Sequence, residues 1–247
     1  MKVIYHWVSL FINVRSIIAL KNLPRYLLNF IKYRQTKTNS EKLLFRDSYP
    51  CLSDMTQTTP FDAHYFFQAA WLARHLNKSQ IKKHVDIGSD VKMIGVLSAF
   101  VDTEFFDYRP LDVELDGLVC KAGNITALPI ESSSIQSLSC QHVIEHIGLG
   151  RYGDPLNPDG SIAAAKELER ILKSSGKLYL SLPVGRERVC FNAHRVYAPS
   201  TVVTFFSDLK MLSFSFVDDN GDFFENKTLD EAEGCDYACG MYVFEKH

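Results

Sequence analysis

The hydrophobic pattern changes character along the chain. Residues 3–12 (VIYHWVSLFI) are almost continuously apolar until Asn13 and Arg15 interrupt them. Helical spacing puts Ile4, Trp7, Val8, Phe11 and Ile12 on one face. A second apolar stretch, Tyr26 to Ile31, lies between Arg25 and Lys32, and Pro24 marks the break between the two. Residues 41–60 show no sustained period and read as a connector. From Phe61 to Asn77 the spacing predicts a helix, with Phe66, Ala69, Ala70, Ala73 and Leu76 as its apolar stripe. Short apolar runs then predict strands at 84–87, 104–107, 118–121 and 135–140, with a helix around Lys92–Phe100. A helix over Ser161–Lys173 carries Ile162, Ala165, Leu168, Ile171 and Leu172 on one side; it is expected to stop at a glycine cap, Gly176, before a strand at 177–182. Segments 210–217 and 239–244 read as a terminal strand pair. This alternation predicts an α/β fold, a mostly parallel sheet with helices on both faces.

Composition narrows the class. The chain has 247 residues, 46% apolar and 23% charged, which excludes disordered, collagen-like and disulfide-scaffold proteins. The formal charge of −2 hides a split. Residues 1–40 hold seven basic groups (Lys2, Arg15, Lys21, Arg25, Lys32, Arg34, Lys37) and no acidic ones, so the remaining body is acidic. No nucleic-acid partner is expected from that body. The first reading of the arm is a helical segment packed on its own domain with solvated charges; the second is an amphipathic helix on an anionic membrane, where each basic residue adds about 1 kcal/mol, and a divergent signal or anchor is the third. The arm's apolar run falls short of the roughly 18 residues a membrane span needs. The expected location is therefore cytoplasmic, peripheral to the inner face of a membrane. The six cysteines are scattered without a CxxC, and Cys235-x-x-x-Cys239 has no second half for zinc, so free thiols in a reducing compartment are expected. The pattern carries no signature of oligomeric state.

Two segments carry candidate chemistry. His142-x-x-Glu145-His146 is the spacing of an inverted zinc-hydrolase motif, in which two histidines hold the metal and the glutamate serves the attacking water. That motif needs a further acidic ligand on a downstream helix, whereas residues 218–225 (DDNGDFFE) read as a turn, so no metal is expected. Gly185–Arg195 places Arg186, Arg188, His194 and Arg195 after the fifth strand, where arginines suit a phosphate or carboxylate. Arg151, Tyr152 and Asn192 join them as candidate acceptor contacts.

The segments Val85-Asp-Ile-Gly-Ser89, the strand ending at Asp107, Cys140-Gln-His-Val-Ile-Glu-His146 and Glu167 to Ser181 resemble class I S-adenosylmethionine-dependent methyltransferases over about residues 61–247. Within that superfamily, His146-Ile-Gly-Leu-Gly-Arg-Tyr-Gly-Asp154 and Phe191-Asn-Ala-His-Arg-Val-Tyr197 resemble domain-of-unknown-function family 268. The resemblance implies a Rossmann-like fold with a seven-stranded sheet, S-adenosylmethionine as cofactor, and a glycan-related or other small polar acceptor in surface-polysaccharide synthesis.

Ligands of open α/β sheets bind beyond the carboxyl ends of the strands. Gly88 lets the backbone approach a ligand there. Asp107, 21 positions after Asp86, is placed to accept hydrogen bonds from two ribose hydroxyls. By the resemblance, Asp86 sits near the methionine end, Asn124 meets the adenine edge, and His142 also contacts the cofactor. The usual glycine-rich turn is altered to Asp86-x-Gly88-x-Asp90-x-Lys92, with two of three glycines replaced. Methyl transfer to a hydroxyl needs alignment and a base. Candidates, in order, are His146, His194, Glu145 and Asp154. The alternatives are a methyltransferase-fold binding module without catalysis, and the zinc hydrolase.

Overall fold

The structure, a computed structural model, describes residues 14–36 and 41–247. The apolar face read over residues 4–12 lies outside the described residues. The chain divides into two compact units, Met1–Phe61 and Asp62–His247.

In the first unit, α1 (Val14–Ala19) passes through a 3-10 turn (Leu20–Asn22) into α2 (Leu23–Thr36). Pro24 is the second residue of α2, where a missing N–H removes no intrahelical bond, so the predicted break is a tightened turn. Asn22 Nδ2 donates to Leu52 O (2.7 Å), and the Phe30 and Phe45 rings meet edge to face at 5.7 Å. Residues 41–60 are irregular apart from a 3-10 turn at Phe45–Asp47. Ile17, Ile18, Leu28 and Ile31 are exposed. Among the described residues no helix is long and apolar enough to cross a membrane.

The second unit begins with α3 (Ala63–Ser79), whose first turn is capped by the Asp62 carboxylate accepting from Tyr65 N (3.2 Å). The strands are β1 (Lys83–Ile87), β2 (Asp102–Asp107), β3 (Leu118–Ala122), β4 (Ile135–Gln141), β5 (Leu172–Val184), β6 (Arg188–Cys190), β7 (His194–Val196), β8 (Leu209–Val217), β9 (Phe223–Phe224) and β10 (Ala238–Lys246). The helices interspersed among them are α4 (Val91–Leu97), α5 (Gly160–Ile171) and α6 (Pro199–Val203). The main sheet has eight strands in the order β3-β2-β1-β4-β5-β10-β8-β9, and β6 pairs with β7 separately. Strands β1 to β5 are parallel neighbours, while β10 runs antiparallel to both β5 and β8. The sheet is thus mixed and eight-stranded rather than mostly parallel and seven-stranded. No crossover helix separates β8 from β10, and a parallel neighbour would need one.

Each face of the sheet carries its own helices. Leu178, Leu180, Leu182, Tyr242 and Phe244 pack with α5 and α6, whereas Tyr179, Met241 and Val243 pack with α3 and α4. The buried stripe of α3 is Gln68, Trp71, Leu72 and Leu76, so the predicted stripe was rotated and Phe66 is 57% exposed. Helix α5 ends at Ile171 and leads directly into β5, earlier than the glycine cap expected at Gly176; Ser175 takes the left-handed conformation (φ 58°). Gly176 instead answers a close approach, since a Cβ there would stand 2.7 Å from Lys173 O and 2.8 Å from Ile135 O. Ile162 faces outward, at 38% exposure.

Beneath the strand ends lies a buried polar network. His84 bridges Ser137 Oγ (2.8 Å) and Ser139 Oγ (2.7 Å), and Ser139 in turn donates to Asp86. Asp86 also accepts from Ser89 N (3.1 Å) and Ser89 Oγ (2.7 Å). Burial pushes His84 down to about 3 and Asp86 up to about 6.

Candidate active site at the strand ends

The carboxyl ends of β1, β2 and β4 converge on two adjoining cavities. Gly88 turns the chain out of β1 with φ 71°, and its N–H donates to Phe106 O (2.8 Å). A Cβ at this position would stand 3.2 Å from Val143 Cγ1 and 3.8 Å from Asp107 Oδ2, so only glycine leaves this approach open. Asp107 Oδ1 accepts from Arg109 N (2.7 Å), fixing the carboxylate at the mouth of the turn. Asn124 Oδ1 accepts from Thr126 N (3.0 Å) and Thr126 Oγ1 (2.9 Å), bonds that do not engage its Nδ2. These residues, with Ile125, Val143 and Ile147, line a cavity of ≈ 110 Å³. Its apolar walls and polar rim suit one small planar group, and a larger ligand would extend from it into the adjoining cavity.

The second cavity, ≈ 430 Å³, is lined by His64, Tyr65, Glu145, His194, Arg151 and Tyr237 among others. It shares Gly88, Asp107, Arg109, His142, His146 and Tyr152 with the first. A larger groove of ≈ 880 Å³ lies at the opposite, amino-terminal ends of the strands, away from the usual ligand end of such sheets.

The segment after β4 controls this second cavity. His142 takes the left-handed conformation (φ 54°), and a single 3-10 turn, Ile144–His146, follows. Because 142–146 is not an α-helix, the two histidines do not share a helical face. Their rings instead converge on Glu145, with His142 Nδ1 at 3.1 Å and His146 Nε2 at 3.7 Å from Oε1. This is not the arrangement of the inverted zinc-hydrolase motif, in which an ion would sit between the rings. Glu145 is fully buried. His146 Nδ1 donates to Ala193 O (2.5 Å), leaving Nε2 as the basic nitrogen of the neutral ring. Burial opposes protonation of His142, but Cys239 and Glu145 on its two sides outweigh burial and raise it. His64 is pushed down to about 4 by burial and by neighbouring His142. Burial lowers His194 as well, and pushes Tyr237 up to about 12.

The residues singled out in the sequence fall into two groups. Gly88, Asp107, Asn124, His142, Glu145, His146, Arg151, Tyr152 and His194 line one or both cavities. Asp86 lines neither, being fully buried below the Gly88 turn, which it holds through Ser89. Asp154 reaches the smaller cavity, but its carboxylate accepts from Gly148 N (2.7 Å) and Tyr152 N (3.2 Å) and organises the loop. Although burial opposes it, these and other amides lower the Asp154 pKa, so it is a poor base.

Arg186, Asn192 and Arg195 line neither cavity. Arg186 pairs with Asp236 (2.8 Å) and Asn192 donates to Leu149 O (3.4 Å). Arg195 is buried and donates to Ile147 O (2.7 Å), Asn157 O (3.3 Å), Pro158 O (3.2 Å) and Ser161 Oγ (3.2 Å), so it clamps the loop backbone instead of an anion. Asp90, one of the glycine replacements, caps α4 by accepting from Lys92 N (3.0 Å) and Met93 N (3.1 Å).

Sequence reasoning missed His64, Tyr65, Arg109, Tyr237 and Cys239. The rings of Tyr65 and His142 stack at 5.5 Å, and those of His64 and Tyr237 at 5.4 Å. The guanidiniums of Arg109 and Arg151 both lie over the Tyr152 ring, at 4.5 and 5.0 Å. The only local signal was Asp62-x-His64-Tyr65, a cap followed by two polar rings at a helix start.

This strand order and ligand end define the fold of class I S-adenosylmethionine-dependent methyltransferases. The family described as Caenorhabditis protein of unknown function, DUF268, matches residues 132–242. No curated protein sequence matches the chain. Similar solved structures include the N-methyltransferase NodS of Bradyrhizobium japonicum in complex with S-adenosyl-L-homocysteine, at 13% identity and TM-score 0.52, covering 74% of this chain and 87% of that one. Another is geranyl diphosphate C-methyltransferase of Streptomyces coelicolor, at 10% identity and TM-score 0.52, covering 74% and 78%. The YcgJ protein of Bacillus subtilis shares 12% identity at TM-score 0.50, covering 74% and 99%.

Proposed function

We propose that the protein transfers a methyl group from S-adenosylmethionine to a small polar acceptor held in the ≈ 430 Å³ cavity. The observation that carries this reading is the joining of the two cavities through Gly88, Asp107, His142 and His146. The residues fit the cofactor. Gly88 opens the backbone, Asp107 Oδ2 stands beside it for the ribose, and Asn124 Nδ2 can donate to a ring nitrogen of adenine. Asp90 spends one oxygen on the α4 cap, which reduces its demand on the cofactor's neighbourhood.

When bound, S-adenosylmethionine supplies a methyl group on an activated sulfonium. The protein then has to align the acceptor, exclude water and take one proton. His146 Nε2 takes the proton from an acceptor hydroxyl. Glu145 stabilises the imidazolium formed, and Ala193 O orients the ring. Tyr65, Tyr152 and Tyr237 with Arg109 and Arg151 give the cavity the aromatic and cationic surface that suits a glycan-related acceptor carrying an acidic group. The basic arm, with its exposed apolar side chains, holds the enzyme near an anionic membrane.

Calorimetry with S-adenosylmethionine and S-adenosylhomocysteine tests the cofactor. Saturable binding is expected, weakened about 10-fold or more in Asp107→Ala. No heat at millimolar ligand, with the variant indistinguishable from wild type, would favour a binding module without transfer chemistry. Mass spectrometry of glycolipids from cells with and without the protein identifies the acceptor by a shift of one methyl group.

A further inference from the structure

One cluster beside the acceptor cavity brings His64 and Cys239, which the transfer reaction described above does not use, up to His142, which lines both cavities. His64 is the second residue of α3, His142 forms the left-handed turn after β4, and Cys239 is the second residue of β10. One ligand atom from each side chain lies within 4.8 Å of the other two, and His142 Nε2 is 3.3 Å from Cys239 Sγ. His64 and His142 line the cavity, while Cys239 is buried behind them.

We propose that His64, His142 and Cys239 bind a divalent transition metal of the zinc type, with a remaining coordination position turned toward the acceptor cavity. One thiolate and two imidazoles form a borderline-soft donor set, which selects zinc-like ions over magnesium or calcium. With metal–nitrogen bonds of about 2.0–2.1 Å and metal–sulfur bonds of about 2.3 Å, tetrahedral ligand atoms stand roughly 3.3–3.6 Å apart. The His142–Cys239 pair already has this spacing. From a separation of at most 4.8 Å, the widest pair in the cluster would close by up to about 1.2–1.5 Å, within reach of side-chain rotation at His64.

Glu145 supplies an independent observation. Its Oε1 lies 3.1 Å from His142 Nδ1, the nitrogen that would not ligate. Metal-binding histidines commonly hold their second ring nitrogen on a carboxylate in this way. Glu145 is fully buried, and neither carboxylate oxygen has a hydrogen-bond partner among the described residues, so the 3.1 Å approach of His142 Nδ1 is the nearest polar support that Oε1 has. The site therefore takes only His142 from the H-x-x-E-H motif as a ligand, keeps Glu145 as its support, and recruits two residues distant in sequence.

Three protein ligands with one open position describe a substrate-binding metal site rather than a closed structural one. The site itself is independent of methyl transfer. Joined to that reading, it would acidify an acceptor hydroxyl, with His146 Nε2 in the same cavity to receive the proton.

The test uses the full chain without a polyhistidine tag, loaded with Co²⁺ or Zn²⁺ in the absence of any methyl donor. We expect one equivalent of Co²⁺ to bind with a thiolate-to-cobalt charge-transfer band and intense tetrahedral d–d bands, both removed by Zn²⁺. Cys239→Ser should abolish the charge-transfer band. His64→Gln should weaken Zn²⁺ binding at least about 10-fold, and Glu145→Gln about 10- to 100-fold. Circular dichroism and melting check that each variant folds. His64 lies at the cavity surface, so His64→Gln keeps the test decisive when Cys239→Ser does not fold. Absence of stoichiometric binding, a charge-transfer band that survives Cys239→Ser, or unchanged Zn²⁺ affinity in His64→Gln would each overturn the proposal. Calorimetry with S-adenosylhomocysteine on the same protein reads the methyltransferase proposal separately, so either can fail alone.

Discussion

The two cavities at the strand ends are built on different plans. In the smaller one, Gly88, Asp107 and Asn124 each lie within two residues of the carboxyl end of a parallel strand. The sheet's hydrogen-bond register fixes their spacing, and short local bonds such as Asp107 to Arg109 N hold each side chain. The larger cavity draws on α3, the segment after β4, β7 and the residues before β10. Its side chains are positioned by contacts across long sequence separations, such as His146 to Ala193 O and His142 to Cys239. A cofactor common to many reactions can use the first plan, whereas acceptor recognition can vary by exchanging loops on the second.

Four measurements would sharpen or break this division. The largest effect belongs to His146→Gln, which should lower turnover about 10²- to 10⁴-fold while leaving S-adenosylhomocysteine affinity nearly unchanged. Single-turnover kinetics with the identified acceptor checks it, and an equal loss in cofactor affinity would dissolve the distinction between the cavities. Next is Arg195→Ala. Removing a buried guanidinium that satisfies several loop carbonyls should cost on the order of 3 kcal/mol in urea unfolding. Unchanged stability would show that the acceptor-side loop does not depend on its clamp.

The third concerns pH and the network beneath the strand ends. His84 titrates near 6.5 when unfolded and at about 3 when folded, so the unfolded chain binds more protons between these values and stability falls on acidification. Asp86 moves the other way, from 3.8 to about 6, so the folded chain binds more protons across that window and stability rises on acidification. The two contributions oppose each other in the wild type. His84→Gln should therefore become relatively more stable as pH falls from 6.5 to 4, and Asp86→Asn relatively less. Melting temperatures across that range decide it, with parallel profiles counting against the network. The smallest effect is Asn124→Ala, expected to weaken S-adenosylhomocysteine about 3- to 10-fold by calorimetry through loss of one hydrogen bond. No change would remove Asn124 from the adenine edge.

The sequence was legible where an element's end is marked by its own residues. The short apolar runs ending at Ile87 and Asp107 located the turn and the carboxylate, because a glycine and an acidic residue interrupt the runs at their ends. The sequence was less legible at α3, where Phe66 and the alanines suggested one stripe while the packing chose Gln68, Trp71, Leu72 and Leu76. A buried glutamine is explained only by its partner, Ser181 Oγ on β5, which lies far away in sequence. The arginines after β5 misled for a related reason. Charge and loop position suggested an anion clamp, but Arg195 turns inward to backbone carbonyls that no sequence pattern displays.

By itself, the sequence determined the alternation of the main strands and helices and placed Gly88, Asp107 and Asn124 at or just beyond the carboxyl ends of their strands. Each depends on neighbours a few positions away, through periodicity, turn conformation or the reach of one side chain. Only the tertiary structure decided that β10 inserts antiparallel between β5 and β8, carrying Tyr237 and Cys239 toward His64 and His142. It also decided that Glu145 is buried between two imidazoles. Those arrangements arise from closing loops as long as the 175 positions between His64 and Cys239, and spacing along the chain carries no record of such closures.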